Sequence, residues 1–193
     1  MRKAKRYDYI KRGGDIALSA LALLVLSPFA LLLRVFMHPM LFTQRRAARG
    51  GGTFTLYKLR SMRADAPPNV PTHLMSNAGA YITPFGAFIR KTSIDELPQL
   101  WNVLRGDMSL VGPRPALWNQ DDLLALRERS GANLVRPGLT GLAQIMGRDE
   151  LPVEVKADYD GQYARDYCLK LDIQIIFSTV GKVFTRSGVR DNR

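Results

Sequence analysis

Between residues 90 and 115 the chain reads RKTSIDELPQLWNVLRGDMSLVGPRP. Asp95 and Glu96 are adjacent carboxylates at the expected start of a helix over 95–105, where free backbone N–H groups and the helix dipole favour both a carboxylate and a bound phosphate. That placement suits a nucleophile meeting an anion. Ser93-Ile94-Asp95-Glu96 equally fits an S-x-x-E capping box, and Pro98 is tolerated in a first helical turn, so spacing alone leaves helix cap and catalysis both open. The surroundings favour an anionic substrate: Arg90, Lys91, Arg105, Arg114, Arg136 and Arg148 supply several cations, and guanidinium matches phosphate oxygens in bidentate fashion. Taken singly, each is an ordinary surface charge. His38 and His73 make no metal pair, and the single cysteine, Cys168, excludes a disulfide framework and a Cys-rich zinc site.

The elements that must carry these residues are short. Residues 40–44 (MLFTQ) and 53–59 (TFTLYKL) alternate as strands around the Gly-rich RRAARGGG, which reads as a hairpin with a loose loop. Residues 64–73 (ADAPPNVPTH) form a polar, proline-rich connection. Helices are expected over 84–91, 95–105, 119–128 and 151–165, with Arg127 exposed on the third. In 166–186, Leu169, Ile173, Ile176, Phe177, Val180, Val183 and Phe184 make one apolar stripe, suited either to core packing or to a membrane interface. With 193 residues, 46% hydrophobic and 23% charged, one folded core fits.

The net charge of +11 is concentrated: residues 1–63 hold 13 Lys or Arg against Asp8 and Asp15, and the remainder is balanced. Inside that basic third lies 16–33, IALSALALLVLSPFALLL, eighteen uncharged residues flanked by cations on both sides. A straight helix of that length is about 27 Å long, marginal against a hydrocarbon core of about 30 Å. Cationic flanks at both ends oppose moving either across a bilayer, and Pro28 after Ser27 removes a helical hydrogen bond mid-run. A re-entrant helix-break-helix, bent at Ser27-Pro28, satisfies both facts better than a straight span, a buried core helix or a cleaved leader. A nucleic-acid binder is disfavoured, because the basic residues bracket an apolar run and RNA-binding aromatic motifs are absent.

The sequence resembles the bacterial sugar transferases, the monotopic phosphoglycosyl transferases of the bacterial inner membrane. The resemblance runs from about Tyr9 to Ser187 and is carried by LSP at 26–28, FTLYKLRSM at 54–62, ITPFGAFIRKTSIDELPQLWNVLRGDMSLVGPRP at 82–115 and RPGLTGLAQIMGR at 136–148. The loop RRAARGGG departs from the family's basic-glycine pattern. The multispan N-terminal extension of larger members is not in this sequence, so a minimal catalytic form is expected.

The resemblance implies transfer of a sugar 1-phosphate from a UDP-sugar to polyprenyl (undecaprenyl) phosphate with release of UMP, at the cytoplasmic face of the membrane. Asp95 is the implied nucleophile, forming a covalent aspartyl phosphosugar, and Asp95 with Glu96 the implied Mg2+ ligands. Lys58, Arg90 and Arg148 are the implied phosphate clamps, Pro113-Arg114-Pro115 the uridine-contacting turn, with Arg60 and Arg136 in the same substrate-binding set. The expected fold class is α/β (α+β): a helix-rich single domain with a short β-hairpin. It comprises a basic N-terminus and membrane hairpin at 1–38, then a cytosol-facing catalytic domain at 39–193 ending in an amphipathic interfacial helix. The expected partners are the UDP-sugar, the polyprenyl phosphate and the bilayer; a homodimer stays open. A non-catalytic membrane-anchored scaffold is the alternative, and it leaves the carboxylates and arginines without a role.

Overall fold

The computed structural model describes residues 6–36, 40–67, 78–147 and 151–185. Arg148, His38 and His73 lie outside the described residues. The hairpin forms as its alternation dictates. Strand β1 (Leu41–Ala47) pairs antiparallel with β2 (Thr53–Leu59), Leu41 opposite Leu59 and Ala47 opposite Thr53. The strands absorb the first part of the expected loop, and the connection tightens to a 3-10 turn in which Gly50 and Gly51 take left-handed φ of 77° and 95°.

Phe54 and Leu56 on one face of β2 bury against Val103 and Met108. Val103 belongs to helix α3 (Gln99–Arg105), which follows helix α2 (Pro84–Lys91). Buried Asn102 of α3 ties the helix to the hairpin: its amide donates to Thr55 O at 2.7 Å and its carbonyl accepts from Tyr57 N at 3.2 Å. Strand β3 (Ser109–Val111) then pairs parallel with β4 (Gly138–Thr140), a two-strand crossover with helix α4 (Asp121–Ser130) between its partners. Three-residue strands carry too little periodicity to be read from sequence. Gly112, just past β3, permits their approach, since a Cβ there would stand 2.4 Å from Arg136 O. The short helix α5 (Leu142–Met146) and the longer α6 (Val153–Asp166) and α7 (Leu169–Thr185) complete the unit. Val111, Tyr163, Tyr167 and Ile175 form a second core; Ala116, Leu123 and Ala157 form a third.

Helix α1 (Arg6–Phe36) runs through Ser27-Pro28 without interruption, where a helix break was expected. The reason is local. Pro28 has no N–H to offer the carbonyl four residues earlier, that of Leu24, and the Ser27 hydroxyl donates to that oxygen at 2.8 Å. By length and composition α1 contains one segment, Arg6–Leu31, able to cross a membrane. Its first turns are fastened to the rest of the chain. Arg12 donates to Val103 O and Leu104 O (2.6 and 2.8 Å), closing the end of α3, and Asp15 accepts from Leu110 N at 3.0 Å. Asp172 of α7 accepts from Tyr7, Lys11 and Tyr163 together.

Two further expectations change. Arg127 was expected on an exposed face of its helix; it is 6% exposed, with Nε and Nη2 both donating to Asp160 Oδ2 of α6 (2.8 and 2.6 Å). The periodicity of α4 shows which residues are apolar, and cannot show that a charge is paired across a helix interface. In α7 the face turned inward is Asp172, Ile175, Thr179 and Lys182, whose partners are respectively the α1 cluster, the second core, Thr140 and Ile145 O. Of the apolar stripe, Phe177 is 73% exposed and Leu169, Ile173 and Val180 are exposed with it, while Ile176 packs against the second core.

Candidate active site

The helix expected at Asp95 begins four residues later, at Gln99, with Pro98 as its N-cap. Asp95 and Glu96 occupy a separate 3-10 turn, Ile94–Glu96. No capping box forms: Ser93 adopts a left-handed φ of 57° and its side chain makes no cap bond. That conformation costs roughly 1–2 kcal/mol in a non-glycine residue, and it turns the chain sharply between α2 and the carboxylates. Upstream, α2 is set by a Thr-Pro start in which Thr83 Oγ1 accepts from Gly86 N at 2.9 Å and Pro84 occupies the first turn. Gly86 lets that turn close on the chain leaving β2; a Cβ there would lie 1.8 Å from Ser61 O. Thr83, Gly86 and Ser93 are thus positioning residues. The Thr-Pro-x-Gly pattern at 83–86 is the sequence signal that would have found the first two.

Lys58, from the inward face of β2, reaches the carboxylates: its Nζ is 3.0 Å from Glu96 Oε1 and 4.0 Å from Asp95 Oδ2. Arg114 Nη2 donates to the same Glu96 oxygen at 2.8 Å. The turn carrying Arg114 is held by its flanking carbonyls, Pro113 O accepting from Gly138 N (2.8 Å) and Pro115 O from Arg46 Nη1 (2.9 Å). Arg46 was not foreseen; a strand arginine gives no hint of a carbonyl partner on a distant turn.

The two carboxylates are driven apart electrostatically. Burial pushes the Asp95 pKa up; Lys58 opposes that, Glu96 adds to it, and Arg90 and Arg114 oppose it more weakly, leaving it raised. Burial works against the Glu96 carboxylate too, but Arg114 and Lys58, as charges and as hydrogen-bond donors, outweigh it and hold its pKa far below the usual range. Glu96 is a fixed anion with its charge spent on two cations. Asp95, 7% exposed, keeps a carboxylate that burial has made a better base.

Lys58, Asp95, Glu96 and Arg114 are therefore brought together, and Arg90 lies close enough to bear on Asp95. Arg136 is drawn into the framework, its Nε donating to Gly106 O at 3.0 Å. Arg60 stacks over Phe42, 5.9 Å from the ring centroid. No group of three or more His, Cys, Asp or Glu that could hold a metal occurs among the described residues. A magnesium ion of the kind that takes one or two protein carboxylates and completes its shell with substrate phosphates and water would have Asp95 and the second oxygen of Glu96 to bind, Glu96 Oε1 being engaged by Lys58 and Arg114. The arrangement can bind a diphosphate and present a carboxylate to it.

The sequence profile of the bacterial sugar transferase family matches residues 6–186. The chain is 34% identical over 197 residues to the UDP-N-acetylgalactosamine-undecaprenyl-phosphate N-acetylgalactosaminephosphotransferase of Aeromonas hydrophila, covering 95% of this chain and 46% of that protein. It is 36% identical over 205 residues to the undecaprenyl-phosphate galactose phosphotransferase of Salmonella typhimurium, covering 96% and 43%. It thus spans less than half the length of these two relatives. Against the exopolysaccharide production protein ExoY of Sinorhizobium fredii it is 34% identical, covering 92% of this chain and 87% of that protein.

Proposed function

The chain belongs to the bacterial sugar transferase family, and from that premise we propose that it moves a sugar 1-phosphate from a UDP-sugar to undecaprenyl or a similar polyprenyl phosphate. The observation that carries this reading is the buried Asp95 beside a Glu96 already neutralised by Lys58 and Arg114. An Asp95 oxygen attacks the β-phosphorus of the donor. The bond from that phosphorus to the bridging oxygen breaks, and UMP leaves with the electron pair. An oxygen of the lipid phosphate then attacks the same phosphorus, Asp95 departs as carboxylate, and the product is a polyprenyl diphosphosugar.

Each residue has a part in that scheme. Burial raises the basicity of Asp95, and Lys58, 4.0 Å away, favours its ionised form and offsets its repulsion from the diphosphate. Arg90, Arg114 and Lys58 supply positive charge where phosphate oxygens lie; Arg148 is assigned the same role from the resemblance. The Pro113-Arg114-Pro115 turn, clamped by its carbonyls, presents Arg114 to the donor. A magnesium ion held by Asp95 and Glu96 would neutralise developing charge on the phosphates.

The membrane reading follows from how α1 is attached. Asp15 and Arg12, before the apolar run, bond to Leu110 and α3. β1, after it, pairs with β2 of the same unit. A segment whose two ends join one folded body enters and leaves the bilayer by one face, so α1 is read as re-entrant, bent within the helix at Ser27-Pro28. The outward stripe of α7, Phe177 foremost, then lies at the same interface. Cationic flanks at both ends support a cytoplasmic position for that face.

The test is to incubate the protein in detergent or nanodiscs with UDP-sugar labelled in the β-phosphate, withholding lipid phosphate. Labelled protein and one equivalent of UMP are expected, and Asp95→Asn should abolish both. Turnover surviving in Asp95→Asn, or kinetics demanding both substrates bound at once, overturns the covalent mechanism.

A further inference from the structure

Arg60 follows the last residue of β2, and its backbone N–H continues the hairpin by donating to Met40 O at 2.8 Å. Strand alternation puts its side chain on the face that carries Phe54, Leu56 and Lys58, about 7 Å beyond Lys58. The buried face of β2 thus ends in two cations, one against the carboxylates and one past them. The Arg60 guanidinium lies over Phe42, and its Nε is buried with no hydrogen-bond partner among the described residues. A buried guanidinium N–H left without an acceptor is costly, and such a group in a folded protein usually meets a water or an anion. A carboxylate does not fill that need here, since Glu96 already engages Lys58 and Arg114.

Position separates the two anions the reaction brings. Met40 is four residues after Phe36, the end of α1, so it stands at most about 15 Å from the end of the apolar helix. Arg60 is therefore the cation of the hairpin nearest to the chain's exit from α1, whereas Arg114 and Arg90 approach the carboxylates from other elements. A UDP-sugar arrives from water; a polyprenyl phosphate keeps its headgroup where the apolar helix ends. Building on the transferase reading, we propose that Arg60 binds the phosphomonoester of the lipid acceptor, its stem supported by Phe42, and takes no part in holding the donor.

The test compares the parent with Arg60→Lys, which keeps the charge and loses the fork, and Arg60→Met, which keeps the apolar stem over Phe42. At saturating donor, Arg60→Met should raise the KM for polyprenyl phosphate at least tenfold and Arg60→Lys several-fold, with the KM for UDP-sugar and the extent of acceptor-free labelling within twofold of the parent. Equal loss in donor KM, or an unchanged acceptor KM, overturns the proposal. Direct binding of a short-chain polyprenyl phosphate to the protein in nanodiscs keeps the question separate from turnover. If the parent shows no transfer yet binds this lipid and Arg60→Met does not, the transferase reading fails and the acceptor site stands. If both proteins bind it equally, the acceptor site fails. Repeating the measurement with and without phosphatidylglycerol distinguishes the phosphomonoester from an ordinary anionic headgroup: an Arg60 effect present only as loss of phosphatidylglycerol-dependent membrane retention counts against the assignment.

Discussion

Lys58 stands 4.0 Å from Asp95, inside ion-pair range and outside hydrogen-bond range, while it donates to Glu96 at 3.0 Å. The ammonium therefore favours the ionised form of Asp95 without occupying its oxygens. The proposed role of Asp95 as nucleophile draws on that combination: the charged form favoured by Lys58, the lone pairs open.

Asp95→Asn should trade activity for stability. The folded-state pKa of Asp95 is raised above its ordinary 3.8, chiefly by burial, so folding favours the protonated form relative to the unfolded chain and the ionised form weakens the fold. That penalty is present at neutral pH, shrinks as pH falls through the folded pKa, and is gone below about 3.8, where both states are protonated. Thermal melts should show Asp95→Asn above the parent at pH 7–8 and level with it near pH 3.5. An Asn variant melting below the parent at pH 7 would mean that Asp95 is a structural anion.

The acid limb of donor loading should report the same group. In the proposed mechanism loading requires ionised Asp95, so it should fall away at a pH above that of an ordinary aspartate, and Lys58→Met should move that limb further up, because Lys58 is the largest influence opposing burial. A limb unmoved by Lys58→Met would assign the titration to a different residue.

Arg114→Ala should raise the KM for UDP-sugar about tenfold, the lower end expected for losing a charge-assisted contact of roughly 1.5–3 kcal/mol, since its side chain is 42% exposed and screened. Arg129→Ala, exposed on α4, is the surface control. Equal effects from the two would remove Arg114 from the site.

Adjacent carboxylates are visible in the one-dimensional pattern, which left cap and catalysis both open for Asp95 and Glu96; Lys58 and Pro113-Arg114-Pro115 entered through the family resemblance, because a strand lysine and a Pro-Arg-Pro turn do not by themselves specify a ligand. The setting of these residues was less legible. The spacing around Asp95 reads as a capped helix, but Pro98 starts α3 late and Ser93 turns left-handed, a conformation that propensity does not anticipate. The hairpin was found by alternation over five and seven residues, 40–44 and 53–59, whereas β3 and β4, three residues each and parallel, exist only through pairing across a crossover. In α7 the stripe was seen correctly and its direction was not fixed by sequence. Asp172 takes the core side because Tyr7, Lys11 and Tyr163 satisfy it there.

Arg127 supplies a stability prediction independent of function. With both partners buried, Arg127→Ala leaves Asp160 uncompensated and should cost about 3–5 kcal/mol in denaturant unfolding. Replacing the pair together, Arg127→Met with Asp160→Leu, should recover most of that loss. If the single variant is neutral, the α4–α6 interface is held by its apolar contacts alone.

The last prediction separates the two halves of the Ser27-Pro28 pair. Pro28 deprives the Leu24 carbonyl of its helical donor, and the Ser27 hydroxyl replaces it at 2.8 Å. If α1 faces lipid as proposed, an unpaired carbonyl there is costly, so Ser27→Ala should destabilise the protein by about 1–3 kcal/mol. Pro28→Leu returns an N–H to residue 28, and that N–H can bond Leu24 directly; in this background Ser27→Ala should cost almost nothing, and the double-mutant cycle should show a coupling of about the single-variant loss. On the proposed re-entrant reading the same Pro28→Leu change also removes the proline that favours a bend, worth about 3 kcal/mol, while the cationic flanks still oppose translocation. Part of the population should then span, exposing the N-terminus outside. A cysteine placed at residue 4 in a Cys168→Ser background, reacted with an impermeant thiol reagent on intact cells, should be silent in the Pro28 protein and partly labelled in Pro28→Leu. Labelling in the Pro28 protein itself would refute re-entry, and an equal Ser27→Ala cost in both backgrounds would show that the hydroxyl does not serve the carbonyl proline orphans.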